Sequence, residues 1–364
     1  MAVPFGGLLA HLILIPSWTL PPFMLLGSLV LCGWHLGLMG VLASLALLML
    51  VVGGPRGVGF RSAIAAASFG LALTAPEADG VRARALGGAA ATVVMVALVT
   101  CGRFAPSPAF FRLISETLDG RTYYASTALR GALDELGALK RPCFVLVHPH
   151  GCLSIGWTWN LFWNSTFHAL TGRINFLIDD GLRHKNPFFR VVCDWYEAPS
   201  RSVGAADRAT IRRAMAAGES LALIPGGFED ATIMVRGRER TAMSKRKGVV
   251  KYALEAGYPL VPVYTFGESD SYHCFEGLLA PRLWLNKFGV PACVFFGNPL
   301  VPPLPRTDVP ILTVVGKPLA LPRIAAPTAA DVAEWHAKYV AALVELFDEH
   351  KKAAGKPDAT LEVW

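Results

Sequence analysis

Two histidines flank a proline in His148-Pro149-His150-Gly151, directly after the apolar run Phe144-Val145-Leu146-Val147. Imidazole is the side chain best suited to moving a proton near neutral pH. Pro149 fixes its own φ and keeps His148 out of helical geometry. Gly151 permits a close approach or an unusual dihedral. The plain alternative is a pair of ordinary turn histidines. A second stretch, Leu223-Ile224-Pro225-Gly226-Gly227-Phe228-Glu229-Asp230, also ends an apolar run in a sharp turn and delivers carboxylates. Backbone N–H groups of Gly226 and Gly227 are candidates to bind an anion or a developing oxyanion. Glu229 is the candidate to orient an imidazole, whereas a solvated acidic loop is the bland reading and fits Asp230 better. In the third, Lys245-Arg246-Lys247 opens a helix-like stretch. A helix start also favours anions, so Arg246 and Lys247 are candidate phosphate contacts, against a solvated basic end or contact with lipid headgroups.

Short apolar strands must position these residues. Strand-like runs occur at Cys143–Val147, Ile174–Ile178, Leu221–Ile224, Leu260–Phe266, Ala292–Phe296 and Ile311–Val315. Helical stretches lie between them, including 205–217 before Gly218, 244–256 before Gly257 and 329–352 at the end. The last places Val332, Trp335, Tyr339, Leu343, Leu346 and Phe347 on one apolar face. Such alternation predicts an α/β domain, a sheet flanked by helices. Ligands in such folds bind at the carboxyl ends of strands, where both the histidine and the glycine turns fall.

The first 55 residues contain no Asp, Glu, Lys or Arg. That is room for about two spans of roughly 20 residues. Weaker apolar segments at 62–74 and 85–101 bring the expected number to between two and four. A membrane-embedded helical region over 1–104 and a second domain over 105–364 follow. The hydrophobic fraction is 53% and the charged fraction 17%, below the ~25% usual in soluble domains, and mean hydropathy is +0.43. Net charge is +7, without a basic block interleaved with aromatics, which argues against nucleic acid and for anionic headgroups or an anionic substrate. If the weaker pair forms a hairpin, Arg56 and Arg61 before it and Arg103 and Arg112 after it predict a cytoplasmic second domain, with Arg82 and Arg84 at the hairpin tip counting against that side. The seven cysteines are scattered, with no C-x-x-C pair, which predicts free thiols in a reducing compartment.

His148-Pro149-His150-Gly151 resembles the HPHG signature of the diacylglycerol acyltransferase 2 family, which includes monoacylglycerol and wax-alcohol acyltransferases. Gly226-Gly227-Phe228-Glu229 is similar to its G-G-A-x-E element. Arg246-Lys247-Gly248 through Gly267-Glu268 resembles a further block ending in F-G-E. Thr313 to Pro318 and Leu346 to Lys351 match in order, so the resemblance runs from about Phe110 to the C-terminus. Departures are Tyr123-Tyr124-Ala125 for Y-F-P, Phe228 for a small residue, and Phe296-Gly297-Asn298-Pro299 for H-G-R-G. They bear on acceptor specificity more than on chemistry.

The resemblance implies a glycerolipid-acyltransferase-like mixed sheet and transfer of a fatty acyl group from acyl-CoA to the hydroxyl of a neutral lipid. Diacylglycerol is the default acceptor; monoacylglycerol, long-chain alcohols and sterols are the alternatives. It further implies a multi-pass protein of the endoplasmic reticulum membrane with its catalytic domain in the cytosol, and is compatible with lipid-droplet association and a homo-oligomer. Acyl-CoA is a co-substrate, and no cofactor or metal is expected. His150 is the expected base, His148 an orienting residue, and the reverse assignment stays open. Glu229 would orient the histidine, Gly226 and Gly227 would supply N–H groups, and Arg246 and Lys247 would meet CoA phosphates.

Rival readings are weaker. An H-x4-D dyad is absent, since Leu153 and Ile155 occupy the required positions. Gly151 to Gly156 reads G-x-x-S-x-G, one residue off a nucleophile elbow. His148, His150 and Cys152 alternate as metal ligands on a strand would, but the turn spoils that geometry. A non-enzymatic lipid-binding membrane protein is the rival of a different class. Asn164-Ser165-Thr166 is a glycosylation sequon that a cytosolic domain would leave unmodified.

Overall fold

The computed structural model describes residues 4–17, 103–289 and 292–364. Most of the expected membrane region lies outside the described residues, including the apolar segments at 62–74 and 85–101. Among the described residues no helix is long and apolar enough to cross a membrane. The helix over residues 5–17 would be about 20 Å long, short of a bilayer core.

The chain divides into two compact units. The larger comprises Met1–Leu12, Pro108–Ile178 and Glu197–Trp364 and is built on one seven-stranded sheet. Its strands are β1 (Ser126–Gly131), β2 (Phe144–His148), β3 (Ile174–Ile178), β4 (Arg201–Ala205), β5 (Ser220–Leu223), β7 (Leu260–Phe266) and β10 (Pro310–Val315), in spatial order β1-β10-β7-β2-β5-β3-β4. Strands β7, β2, β5, β3 and β4 are mutually parallel, and β10 runs antiparallel to β7. The sheet is therefore mixed. Short pairs complete the strands: β6 (Glu239–Thr241) with β11 (Leu361–Val363), and β8 (His273–Cys274) with β9 (Phe295–Phe296).

Strands β2, β5 and β7 are buried throughout, which is why they read as largely apolar runs. The edges differ. Strands β1 and β4 carry Ser126, Arg130, Arg201 and Ser202, are partly exposed, and show no apolar run by which to recognise them. The expected strand at 292–296 shrinks to Phe295–Phe296.

Five helices matter for the site: α1 (Arg208–Ala216), α2 (Gly227–Ile233), α3 (Lys247–Ala256), α4 (Leu279–Asn286) and α5 (Ala329–His350). Asp207 caps α1, accepting from the N–H groups of Ala209 and Thr210 at 2.8 and 3.0 Å. Gly257 ends α3 at φ +70°, a conformation that favours glycine. A Thr328/Asp331 capping box starts α5. Its face of Val332, Tyr339, Leu343, Leu346 and Phe347 is buried in the core with Tyr264, Phe266 and Val314, each large side chain contributing roughly 1.5–3 kcal/mol. Trp335 is only partly buried, with the Lys338 ammonium 4.1 Å from its ring centre.

The smaller unit comprises Ile13–Ser107 and Asp179–Tyr196. Within it Arg183 and Asp194 form a buried ion pair at 2.8 Å, and Asp194 also accepts from the Phe104 N–H. In the larger unit, His11 bonds the Tyr124 hydroxyl at 2.8 Å, and the Trp159 indole N–H bonds His11 at 3.1 Å. Asn164 is buried and caps the helix Ser165–Thr171 by accepting from Thr166 and Phe167 N–H groups. That role accounts for the asparagine of the sequon without a glycan.

Candidate active site

Three parallel neighbours, β7, β2 and β5, bring their carboxyl ends to one edge of the sheet. Onto that edge they deliver the Gly267-Glu268 turn, the His148–Gly151 turn and the Gly226-Gly227 turn, in that order.

The two histidines are placed in opposite environments. His148 is the last residue of β2 and is fully buried. Its Nδ1 lies 2.9 Å from Thr241 Oγ1 on β6, and its Nε2 lies 2.9 Å from the Tyr339 hydroxyl on α5. Burial pulls its pKa down to about 3, so the ring is neutral. Both nitrogens are thus engaged by hydroxyls in the interior, and the ring cross-links β2 to β6 and α5. The His148–Pro149 peptide is cis, and the chain turns outward.

His150 is only partly buried. Its Nδ1 is 2.9 Å from the Gly151 carbonyl oxygen, and Ser154 Oγ sits 3.3 Å from both ring nitrogens. A carbonyl oxygen only accepts, so Nδ1 carries the proton in the neutral ring and Nε2 keeps its lone pair. The His150 backbone N–H donates to Asp230 Oδ2 at 3.0 Å.

The carboxylate at the histidine turn is therefore Asp230. Its second oxygen accepts from the Ala242 N–H. Burial raises the Asp230 pKa, and its two N–H partners and the neighbouring His150 oppose that rise. Gly226 makes room for it: a Cβ there would lie 2.0 Å from the Asp230 carboxyl carbon. Glu229 is placed elsewhere, with its carboxylate 2.9 Å from Arg246. The geometry thus brings Asp230 to the histidine turn and gives Glu229 to Arg246. On α2 a one-residue step moves a side chain about 100° around the axis, which is why neighbouring carboxylates part company.

The remaining candidates separate too. The N–H groups of Glu229 and Asp230 both turn back to the Gly226 carbonyl, at 3.2 and 3.4 Å. Arg246 precedes α3 and also reaches the Gly226 carbonyl at 3.3 Å, tying the start of α3 to the glycine turn. Lys247, the first residue of α3, is exposed.

Glu268, the last residue of the F-G-E block, joins the site. It is fully buried; Oε1 accepts from the Gly156 N–H at 2.7 Å, and Oε2 has no hydrogen-bond partner among the described residues. A Cβ on Gly151, whose φ is +63°, would sit 2.3 Å from Oε2, so glycine is required where the histidine turn passes the carboxyl. Burial pushes the Glu268 pKa up to about 8, leaving the group protonated at neutral pH. Ser269 and Asp270 beside it are fixed by a buried cluster. Ser269 donates to Glu239 at 2.9 Å, Tyr264 donates to Glu239 at 2.6 Å, and Lys356 pairs with Glu239 and with Asp270.

Such an edge can do proton-transfer chemistry. It presents an imidazole with a lone pair on Nε2, a buried carboxylate next to it, and a second imidazole that holds the turn in place.

Residues 135–364 match the family model described as "Diacylglycerol acyltransferase". The chain is 32% identical to bovine diacylglycerol O-acyltransferase 2 over 59% of its length and 63% of that protein's. It is 36% identical to human 2-acylglycerol O-acyltransferase 3 over 39% of its length and 45% of that protein's. With human acyl-CoA wax alcohol acyltransferase 2 the identity is 29%, over 59% of this chain and 68% of that one. The matches to the first two relatives thus span 63% and 45% of their length. A solved structure of 1-acyl-sn-glycerophosphate acyltransferase from Thermotoga maritima aligns over 84% of the chain at 13% identity with a TM-score of 0.35, too low to carry a fold assignment.

Proposed function

Since the chain belongs to the diacylglycerol acyltransferase 2 family, we propose that it is an acyl-CoA-dependent O-acyltransferase whose acceptor is a neutral-lipid hydroxyl, diacylglycerol first among them. The observation that carries the reading is His150, at the carboxyl edge of the parallel strands with Nδ1 on a carbonyl and its backbone on Asp230. His150 Nε2 takes the acceptor's hydroxyl proton as that oxygen attacks the thioester carbonyl, forming the new C–O bond. The tetrahedral intermediate collapses by breaking the C–S bond. The CoA sulfur leaves with the proton that the imidazolium returns, so no acyl-enzyme is needed. Asp230 stabilises the transient imidazolium and holds the turn. Lys247, exposed at the start of α3, remains available to a CoA phosphate.

Monoacylglycerol, long-chain alcohols and sterols are the alternative acceptors. The reading places the apolar region up to residue 104 that follows Leu12 in the endoplasmic reticulum membrane, Met1–Leu12 belonging to the larger unit, and the catalytic domain on its cytosolic face. Support for a lipid surface comes from side chains between 275 and 301: Leu278 is 70% exposed, Phe288 62%, Val294 65% and Leu300 91%, with Trp284 and Phe296 beside them. Expression in a host lacking neutral-lipid synthesis, with lipid-class analysis, tests the function. Triacylglycerol that appears with the wild type and not with His150→Ala is the expected result. An unchanged lipid profile alongside folded, membrane-bound protein overturns the reading and favours a non-enzymatic lipid-binding protein.

A further inference from the structure

Three cysteines far apart in the chain meet beside the histidine turn. Cys152 follows Gly151, Cys274 ends β8, and Cys293 lies two residues before β9. Cys152 Sγ is 3.3 Å from Cys274 Sγ and 3.3 Å from Cys293 Sγ, and all three sulfurs lie within 4.8 Å of one another. Cys152 is buried, and all three are free thiols. As thiols they are weak donors facing weak acceptors; as thiolates alone they would repel.

Arg282 on α4 is only 6% exposed, and its hydrogen bonds go to main-chain carbonyls: Ala292 at 2.8 Å, Phe275 at 2.6 Å, Thr232 at 2.8 Å and Gly277 at 3.4 Å. Two of those carbonyls belong to the neighbours of Cys293 and Cys274. No carboxylate pairs with this guanidinium among the described residues. A buried cation without an anion is costly, and here it lies against a cluster able to become anionic.

We propose that Cys152, Cys274 and Cys293 form a tris-thiolate site for a soft divalent cation, zinc above all, with Arg282 balancing its charge. Binding releases the three thiol protons and gives a complex of net charge −1, which the guanidinium compensates. Thiolate ligands select zinc over magnesium or calcium. Zn–S bonds of ~2.3 Å at tetrahedral angles put sulfurs roughly 3.8 Å apart, so the close pairs need open by only about half an ångström. The fourth position is open to water. The ion clips the β8–β9 pair to the turn that carries His150, two residues before Cys152. The site stands independently of the acyl-transfer reading, since its readout is metal content.

The test is elemental analysis of the full-length protein purified in detergent under anaerobic, reducing conditions. About one zinc per chain is expected, lost in Cys152→Ser and Cys274→Ser. A variant that fails to fold leaves a measurement on the wild type: chelator-treated protein titrated with cobalt(II) is expected to show thiolate-to-cobalt charge transfer saturating at about one equivalent. Wild-type protein without zinc and without that absorption overturns the proposal. So does zinc retained in the Cys152→Ser/Cys274→Ser double variant, or a disulfide mapped between two of the three cysteines in the anaerobic preparation.

Discussion

His148 and His150 stand two residues apart and do opposite things. His148 faces inward, is fully buried, and spends both nitrogens on the Thr241 and Tyr339 hydroxyls. His150 faces the sheet edge, with one nitrogen on a neighbouring carbonyl and the other beside Ser154. The same residue type thus serves as a cross-link on one side of Pro149 and as a candidate base on the other. Burial makes the difference: it holds His148 neutral down to about pH 3, far from the range where a base is useful.

The contrast can be broken by substitution. The largest effect is expected at His150: His150→Ala should lower kcat by roughly 10²–10⁴-fold with the melting temperature unchanged. His148→Ala should do the reverse. It takes the imidazole from two buried hydroxyls, leaving Tyr339 only its longer bond to the Leu146 carbonyl at 3.4 Å and costing about 1–3 kcal/mol for an unsatisfied group, so thermal unfolding should come several degrees earlier while kcat per folded molecule changes far less. An intermediate effect is expected for Asp230→Asn, because an amide cannot accept from both the His150 and Ala242 N–H groups. Loss of roughly 1–3 kcal/mol in denaturant unfolding, with a fall in kcat, would mark Asp230 as the group that positions the turn. A normal kcat would assign it to the fold alone.

Glu268 sharpens the comparison through pH. Its folded pKa, about 8, lies above the ordinary 4.5. Between those values the folded chain holds a proton that the unfolded chain has lost. Stability from this group is therefore full below pH 4.5, declines as pH rises, and is gone above pH 8. Glu268→Gln, which stays neutral, should flatten that decline in urea midpoints measured across the same range. The smallest effect is expected at Glu229. Its pair with Arg246 is partly exposed, and Glu229→Ala should cost at most about 1 kcal/mol and leave kcat within a few fold.

The central strands were legible because β2, β5 and β7 are buried on both faces and read as apolar runs. Strands β1 and β4 were not, since edge strands face solvent and carry polar residues. Placing His150 at a strand end followed from Phe144–Val147, but its carboxylate neighbour did not. Periodicity cannot say which of Glu229 and Asp230 faces the turn until the start of α2 is known. Nor does spacing reveal that Cys152, Cys274 and Cys293 converge, because that depends on the pairing of β8 with β9 across the intervening helix. Glu268 was within reach: a carboxylate two residues after the fully buried strand Leu260–Phe266 belongs at the same edge as the histidines.

The division of labour between the histidines is tested most directly on the unmodified enzyme. Diethyl pyrocarbonate labelling, mapped by fragment-ion mass spectrometry, should modify His150 at the rate at which acyl transfer is lost, with acyl-CoA slowing both and His148 remaining unlabelled. Activity that disappears with His150 intact, or in step with labelling of His148, would contradict the account.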